Sequence, residues 1–193
     1  MTSSKPSTNI IYVTAPQGVY EGTLSFQGRE FPCALGRTGI IEAQHKAEGD
    51  GATPQGTWAL RELFFRSDKI PQPETSLPVR ELKREDGWCD AAQDIAYNQH
   101  VSHPYQASAE KLWREDHLYD LIVPLGYNDN PIIAGKGSAI FFHVLKRNPE
   151  TNAINPTEGC VALDLENLLS VLKVCSPTTT MHIEESINHA DQK

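Results

Sequence analysis

Turn residues cut this chain into apolar-alternating runs of strand length, and that spacing is the tightest limit on its fold. The runs are Asn9–Thr14, Val19–Phe26, Arg29–Leu35, Thr57–Phe65, Tyr119–Leu125, Ser138–Leu145 and Thr178–Ile183. Pro16-Gln17-Gly18 and Gln27-Gly28 punctuate the early ones, and Gln27-Gly28 between two strand runs predicts a hairpin. One helix is predicted after Asp164, a capping residue. There Leu165, Leu168, Leu169 and Leu172 form an i, i+3, i+4, i+7 stripe, and Pro177 closes the region. A second, shorter helix is predicted over Ala107–Arg114. Many short strands and few helices make the fold class mainly β: a sandwich or barrel of short strands with peripheral helices.

A length of 193 residues suits one domain, placed at residues 9–183. The polar ends, 1–8 and 184–193, are expected to be flexible. Residues 67–117 interrupt the strand pattern with Pro71, Pro73, Pro78 and Pro104, yet carry Trp88, Tyr97, Tyr105 and Trp113. Disordered segments are poor in aromatics, so this stretch reads as a folded flap inserted in the domain. With 17 basic and 25 acidic side chains the net charge is −8, which argues against nucleic acid or an anionic membrane surface as partner. No apolar run reaches the ~20 residues of a membrane span. The first residues show no apolar signal core, so a cytoplasmic location is expected, or a periplasmic one if the sequence was trimmed.

The four cysteines contain no CxxC pair, and free thiols are expected of them. Cys33 lies in an apolar strand and Cys175 after the Leu-rich helix, both positions for inert packing. Cys89 has acidic neighbours, which raise a thiol's pKa. Cys160 differs: it follows Gly159 in a turn ahead of the helix, where backbone amides can favour a thiolate and receive an oxyanion. A thiol nucleophile needs a base. His143 lies in a strand run, on the face of Ala139 and Phe141, and Cys160 follows seventeen positions later beyond one polar loop. His100 and His103 lack a third ligand nearby, so no metal is expected.

His143, the spacer and Thr157-Glu158-Gly159-Cys160-Val161 resemble the signature of the L,D-transpeptidase catalytic (YkuD-type) family. Gly51-Ala52-Thr53-Pro54-Gln55-Gly56-Thr57-Trp58 is similar to that family's Thr-Pro-x-Gly-x-aromatic segment. Glu158 and Ala162 stand where many members have His and Arg, and Val144 where they have Gly or Ser, which marks a distinct subgroup. The resemblance implies a YkuD-like β-sandwich with Cys160 as nucleophile and His143 as general base. It further implies an oxyanion hole from the Gly159 and Cys160 amides and a main-chain carbonyl near Val144 orienting the imidazole. Its substrate class is a peptidoglycan stem peptide or muropeptide fragment, cut between diaminopimelate and D-Ala through a thioester, without metal or organic cofactor. Water resolving the thioester gives an L,D-carboxypeptidase of wall recycling, the preferred expectation. An amine from a second stem gives a cross-linking transpeptidase, and an inactive wall-fragment binding module is the alternative of another class. Oligomeric state stays open.

For substrate contacts, composition points to Trp88, Tyr97, Asn98, Tyr127 and Asn128, which offer apolar walls with amide and hydroxyl groups. A carboxylate-bearing donor also calls for a cation, with Arg37, Lys46 and Arg84 as candidates that the sequence does not rank, and Arg37 is set with the substrate-contact residues.

Overall fold

The computed structural model describes residues 9–186. Fourteen strands and one helix are present among them: β1 (Ile10–Ala15), β2 (Glu21–Phe26), β3 (Arg29–Ala34), β4 (Ile40–Glu42), β5 (Thr53–Ala59), β6 (Leu63–Phe65), β7 (Val79–Glu81), β8 (Asp86–Cys89), β9 (His100–Ser102), β10 (Ala109–Lys111), β11 (Leu121–Pro124), β12 (Phe141–Val144), β13 (Val161–Leu163), α1 (Leu165–Leu172) and β14 (Thr180–Glu185). Eleven strands join in the order β4-β5-β14-β1-β2-β3-β13-β12-β11-β6-β7, and β10-β8-β9 form a small separate sheet. The fold is mainly β.

Local chemistry accounts for these elements. In β1, Ile11, Val13 and Ala15 alternate inward and are fully buried. Gln27 and Gly28 both have positive φ, 49° and 79°, the twist a two-residue hairpin needs between β2 and β3. The run expected as one strand over Thr57–Phe65 is two strands, β5 and β6, which belong to distant parts of the sheet: β5 pairs with β14 and β6 with β11. Helix α1 buries Leu168, Val171 and Leu172. The cap expected from Asp164 is not made, because its carboxylate is bound by Arg147 at 2.9 and 2.6 Å. The helix predicted over Ala107–Arg114 is also absent. Ala109–Lys111 is instead strand β10, paired with β8. Eight residues are too few to hold a helix by their own propensity, so an available strand partner decides.

One core collects side chains from both halves of the large sheet, from β1 and β14 through β3, β13, β12, β11 and β6, as a sandwich requires. Strand β12 is packed on both faces. Phe142 and Val144 enter that main core, whereas Phe141 enters a second cluster with Phe64, Leu82, Leu112, Tyr119, Ile122 and Cys160. Phe141 and Phe142 are both fully buried, each contributing about 1.5–3 kcal/mol on burial. The flap supplies the lid of this second core, with Trp88 edge-on to Phe141 at 5.2 Å. Within 67–117, Leu82, Trp88, Leu112 and Trp113 thus pack on the face of β12 that carries Phe141 and His143, whereas Ile70, Leu77 and Val79 join the main core.

Candidate active site

Strands β12 and β13 run parallel, with Phe142 opposite Val161 and His143 opposite Ala162. Carrying that register back one residue sets Cys160 beside Phe141. Opposed residues share a face and the face alternates along a strand, so Cys160 and His143 lie on one face, two residues apart in register. Both are nearly closed off, at 7% and 4% exposure.

The turn that presents Cys160 is built around Gly159, whose φ of +136° leaves an added Cβ only 2.8 Å from the Ala52 carbonyl oxygen. Thr157 Oγ1 donates to the Cys160 carbonyl at 2.7 Å and accepts the Gly159 N–H at 3.1 Å. From the other side, fully buried Thr53 accepts the Gly36 N–H at 2.8 Å, and Gly36 bridges to Thr157. The 51–58 segment thus braces the cysteine turn.

Around the sulfur, the thiol donates to the Ala139 carbonyl at 3.2 Å and accepts the Phe141 N–H at 3.3 Å. Ala139 sits at φ +53°, a costly conformation for a residue with a Cβ, and its N–H is tied to Asn98 Oδ1 at 3.0 Å. His143 Nδ1 lies 2.8 Å from the Val144 carbonyl oxygen. A carbonyl only accepts, so Nδ1 carries the proton and Nε2 keeps its lone pair for proton transfer. Tyr119 packs edge-on to the imidazole at 5.4 Å between centroids, and its hydroxyl donates to Glu110 Oε1 at 2.6 Å.

Electrostatics keep this pair neutral at rest. Burial pushes the Cys160 thiol up to about 12, against the opposing Phe141 N–H. Burial pushes His143 down to about 4, although the Val144 carbonyl favours its protonation. Turn amides were expected to favour a thiolate, but desolvation outweighs the one N–H that reaches the sulfur.

Cys160 and His143 open on a cavity of about 540 Å³ that Lys46, Glu110, Arg114, Tyr119 and Glu158 also line. The residues expected to contact substrate are placed elsewhere. Trp88 donates its indole N–H to Asn98 Oδ1 at 2.9 Å, and Asn98 Nδ2 donates to the Tyr127 and Asn128 carbonyls at 3.2 and 2.8 Å. Asn128 holds its own loop through Ile133 and Gly137, and the Tyr97 hydroxyl is given to Glu48. These five clasp the flap to the loop ahead of β12 and are absent from the lining of the Cys160 cavity. Arg37 pairs with Glu158 at the cavity rim, and Arg84 lies over Trp113 at 5.0 Å. Of the three candidate cations only Lys46 lines the cavity itself. Sequence reading missed Glu110 and Tyr119. The first was hidden in a wrongly expected helix, and the second showed only as the start of a strand run.

The remaining candidates stay apart. His100 binds Asp86 at 2.8 Å, and no cluster of three metal-ligating side chains occurs among the described residues. Cys33, Cys89 and Cys175 are buried free thiols, each raised chiefly by burial.

Comparison with known proteins matches residues 10–183 to the L,D-transpeptidase catalytic domain family, YkuD. No curated protein matches the chain. Similar solved structures include Mycobacterium tuberculosis L,D-transpeptidase 1, at 11% identity over 92% of this chain and 63% of that one, with a TM-score of 0.38. Another is M. tuberculosis L,D-transpeptidase 3 carrying a faropenem-derived adduct, at 13% identity, 91% and 60% coverage and a TM-score of 0.37. A third is an L,D-transpeptidase from Mycobacterium smegmatis, at 13% identity, 90% and 58% coverage and a TM-score of 0.35. The chain spans about three-fifths of the length of these structures.

Proposed function

The chain belongs to the L,D-transpeptidase catalytic domain family, and on that premise we propose that it is a cysteine acyltransferase acting on peptidoglycan stem peptides. The observation that carries this reading is the shared face of Cys160 and His143 at one cavity, with Nδ1 of His143 already committed to Val144.

In the reaction, Cys160 Sγ attacks the carbonyl of the diaminopimelate–D-Ala amide while His143 Nε2 takes the thiol proton. Because the resting pair is neutral, proton transfer accompanies attack rather than preceding it. The Gly159 N–H is engaged by Thr157, so the Cys160 amide is the stronger candidate donor to the developing oxyanion. Collapse breaks the C–N bond, His143 returns the proton to the leaving amine, and D-Ala departs from a thioester. His143 then draws a proton from water, whose oxygen attacks the thioester and frees the thiol and a tripeptide.

Water is favoured over a second stem because Cys160 lies under the flap, on a cavity sized for a single ligand. Such a hydrolase serves recycling of released muropeptide fragments in the cytoplasm, where no polymeric wall offers acceptor amines. The test is mass spectrometry of purified disaccharide-tetrapeptide incubated with the protein. Tripeptide is expected and must vanish in Cys160→Ala. A cross-linked dimer would select amine acceptance. Unchanged tetrapeptide in both proteins would leave the binding-module reading.

A further inference from the structure

The cavity at Cys160 is also bounded by the inward face of the flap sheet. Strands β8 and β10 are antiparallel, with Glu110 opposite Trp88 and Ala109 opposite Cys89. Beyond β8 the Asp90 N–H continues the ladder to the Ser108 carbonyl at 3.3 Å. Alternation then puts Trp88, Asp90, Glu110 and Leu112 on one face. Trp88 and Leu112 pack into the second core, as an inward face should. Asp90 and Glu110 share that face but carry carboxylates, and both line the cavity.

Of the other charges at the cavity, Lys146 is exposed and makes no side-chain hydrogen bond or ion pair among the described residues, whereas the rest have partners within the protein. Lys46 donates to Asp50 Oδ1 at 2.7 Å and to the Ala47 carbonyl at 2.9 Å. Arg114 holds Asp116 through two bonds, at 2.8 and 2.7 Å. Glu158 takes Arg37, and Glu48 takes the hydroxyls of Ser138 and Tyr97. The flap carboxylates are left short of donors. Glu110 receives the Tyr119 hydroxyl on Oε1, while Asp90 Oδ1 is sealed from solvent with no hydrogen-bond partner. An acceptor without a donor is costly, and the Asp90 and Glu110 side chains, each only partly buried, line the cavity that also holds the nucleophile.

We propose that Asp90 and Glu110 form a recognition site for a primary ammonium group of the peptide substrate, next to Cys160. This deepens the acyl-transfer reading and rests on it for the identity of the peptide. A compact ammonium carries three donors, matching two carboxylates with open lone pairs. Burial holds the Glu110 carboxyl above its usual range against the Tyr119 hydroxyl and the Arg114 charge, with the neighbouring Asp90 pushing the same way as burial, so an arriving cation brings it down. The ammonium is the side-chain amine of the donor stem or the amine of an acceptor stem.

The test compares tetrapeptide muropeptides with a free and an N-acetylated side-chain amine. Substrates are offered to the wild-type protein and to the Asp90→Asn/Glu110→Gln double variant, in which Gln can still accept from Tyr119. The expected wild-type kcat/KM is at least tenfold higher for the free amine, falling to within twofold in the double variant. Discrimination in hydrolysis of a lone peptide assigns the ammonium to the donor, and discrimination seen only in dimer formation assigns it to the acceptor. Equal wild-type turnover of both peptides in both assays overturns the proposal and leaves the acyl-transfer reading standing. Calorimetric binding to Cys160→Ala supplies a readout without turnover. Tighter binding of the free-amine peptide supports the ammonium site even if the wild type turns over neither. Equal binding of both, or none, counts against it.

Discussion

Alkylation of Cys160 by iodoacetamide is expected to be slow at neutral pH and to climb about tenfold per pH unit without levelling off across the range where the protein stays folded. With the thiol pushed up to about 12, about one molecule in 10⁵ carries a thiolate at pH 7. An ordinary thiol near 8.5 is about 3% ionised there, so the deficit is roughly 3000-fold. The more basic thiolate is the better nucleophile, which returns a factor of about 30 for a Brønsted coefficient near 0.4. The net expectation is a rate about 100-fold below that of an accessible thiol, before any steric slowing under the flap. Peptide mapping by mass spectrometry reads the rate at Cys160 separately from Cys33, Cys89 and Cys175, which are buried as well. His143→Ala should leave the slope unchanged, because a neutral imidazole contributes no charge to remove. A wild-type rate that levels near or below pH 7 would mean a thiolate–imidazolium pair, and the account of a neutral resting site would be wrong.

His143 should also report in stability. Its native value of about 4 lies below the 6.5 of a free imidazole, so between those pH values the unfolded chain binds the extra proton. The stabilisation is therefore complete above pH 6.5 and lost on descending to pH 4, by about 3 kcal/mol. Denaturant unfolding at pH 7 and pH 4 should show His143→Gln losing that much less than wild type; equal losses would refute it. Trp88→Ala removes the edge-on contact to Phe141 and the bond to Asn98, and should cost about 3 kcal/mol. That corresponds to a fall in Tm of roughly 6–12 °C by calorimetry. An unchanged Tm with impaired kcat/KM would place Trp88 against substrate instead of in the fold.

What could be read from the sequence divides by range along the chain. The β2–β3 hairpin and α1 depend on residues within a few positions of one another, so turn chemistry and a leucine stripe were enough. The break between β5 and β6 depends on β14 and β11, more than fifty residues downstream, and the run Thr57–Phe65 carries no mark of it. Ala107–Arg114 failed for the same reason, since its partner β8 lies some twenty residues upstream. Asp164 was a sound cap by type, but Arg147, seventeen residues away, holds its carboxylate.

The site follows the same rule with a sharper consequence. Cys160 and His143 could be singled out by type and by motif, but their meeting on one face is a statement of register, which no local pattern contains. The aromatic and amide residues chosen for substrate contact were suited to it by chemistry, and that suitability was equally good for clasping a flap. Trp88 and Asn98 bond to each other because the face that β12 turns toward the site must be covered, and an amphipathic ring does that while keeping its N–H satisfied. Covering the face leaves Asp90 and Glu110 turned toward the nucleophile. On the proposed reading, the flap's selectivity rests on Asp90 and Glu110, which line the cavity, while Trp88 covers Phe141 beside it.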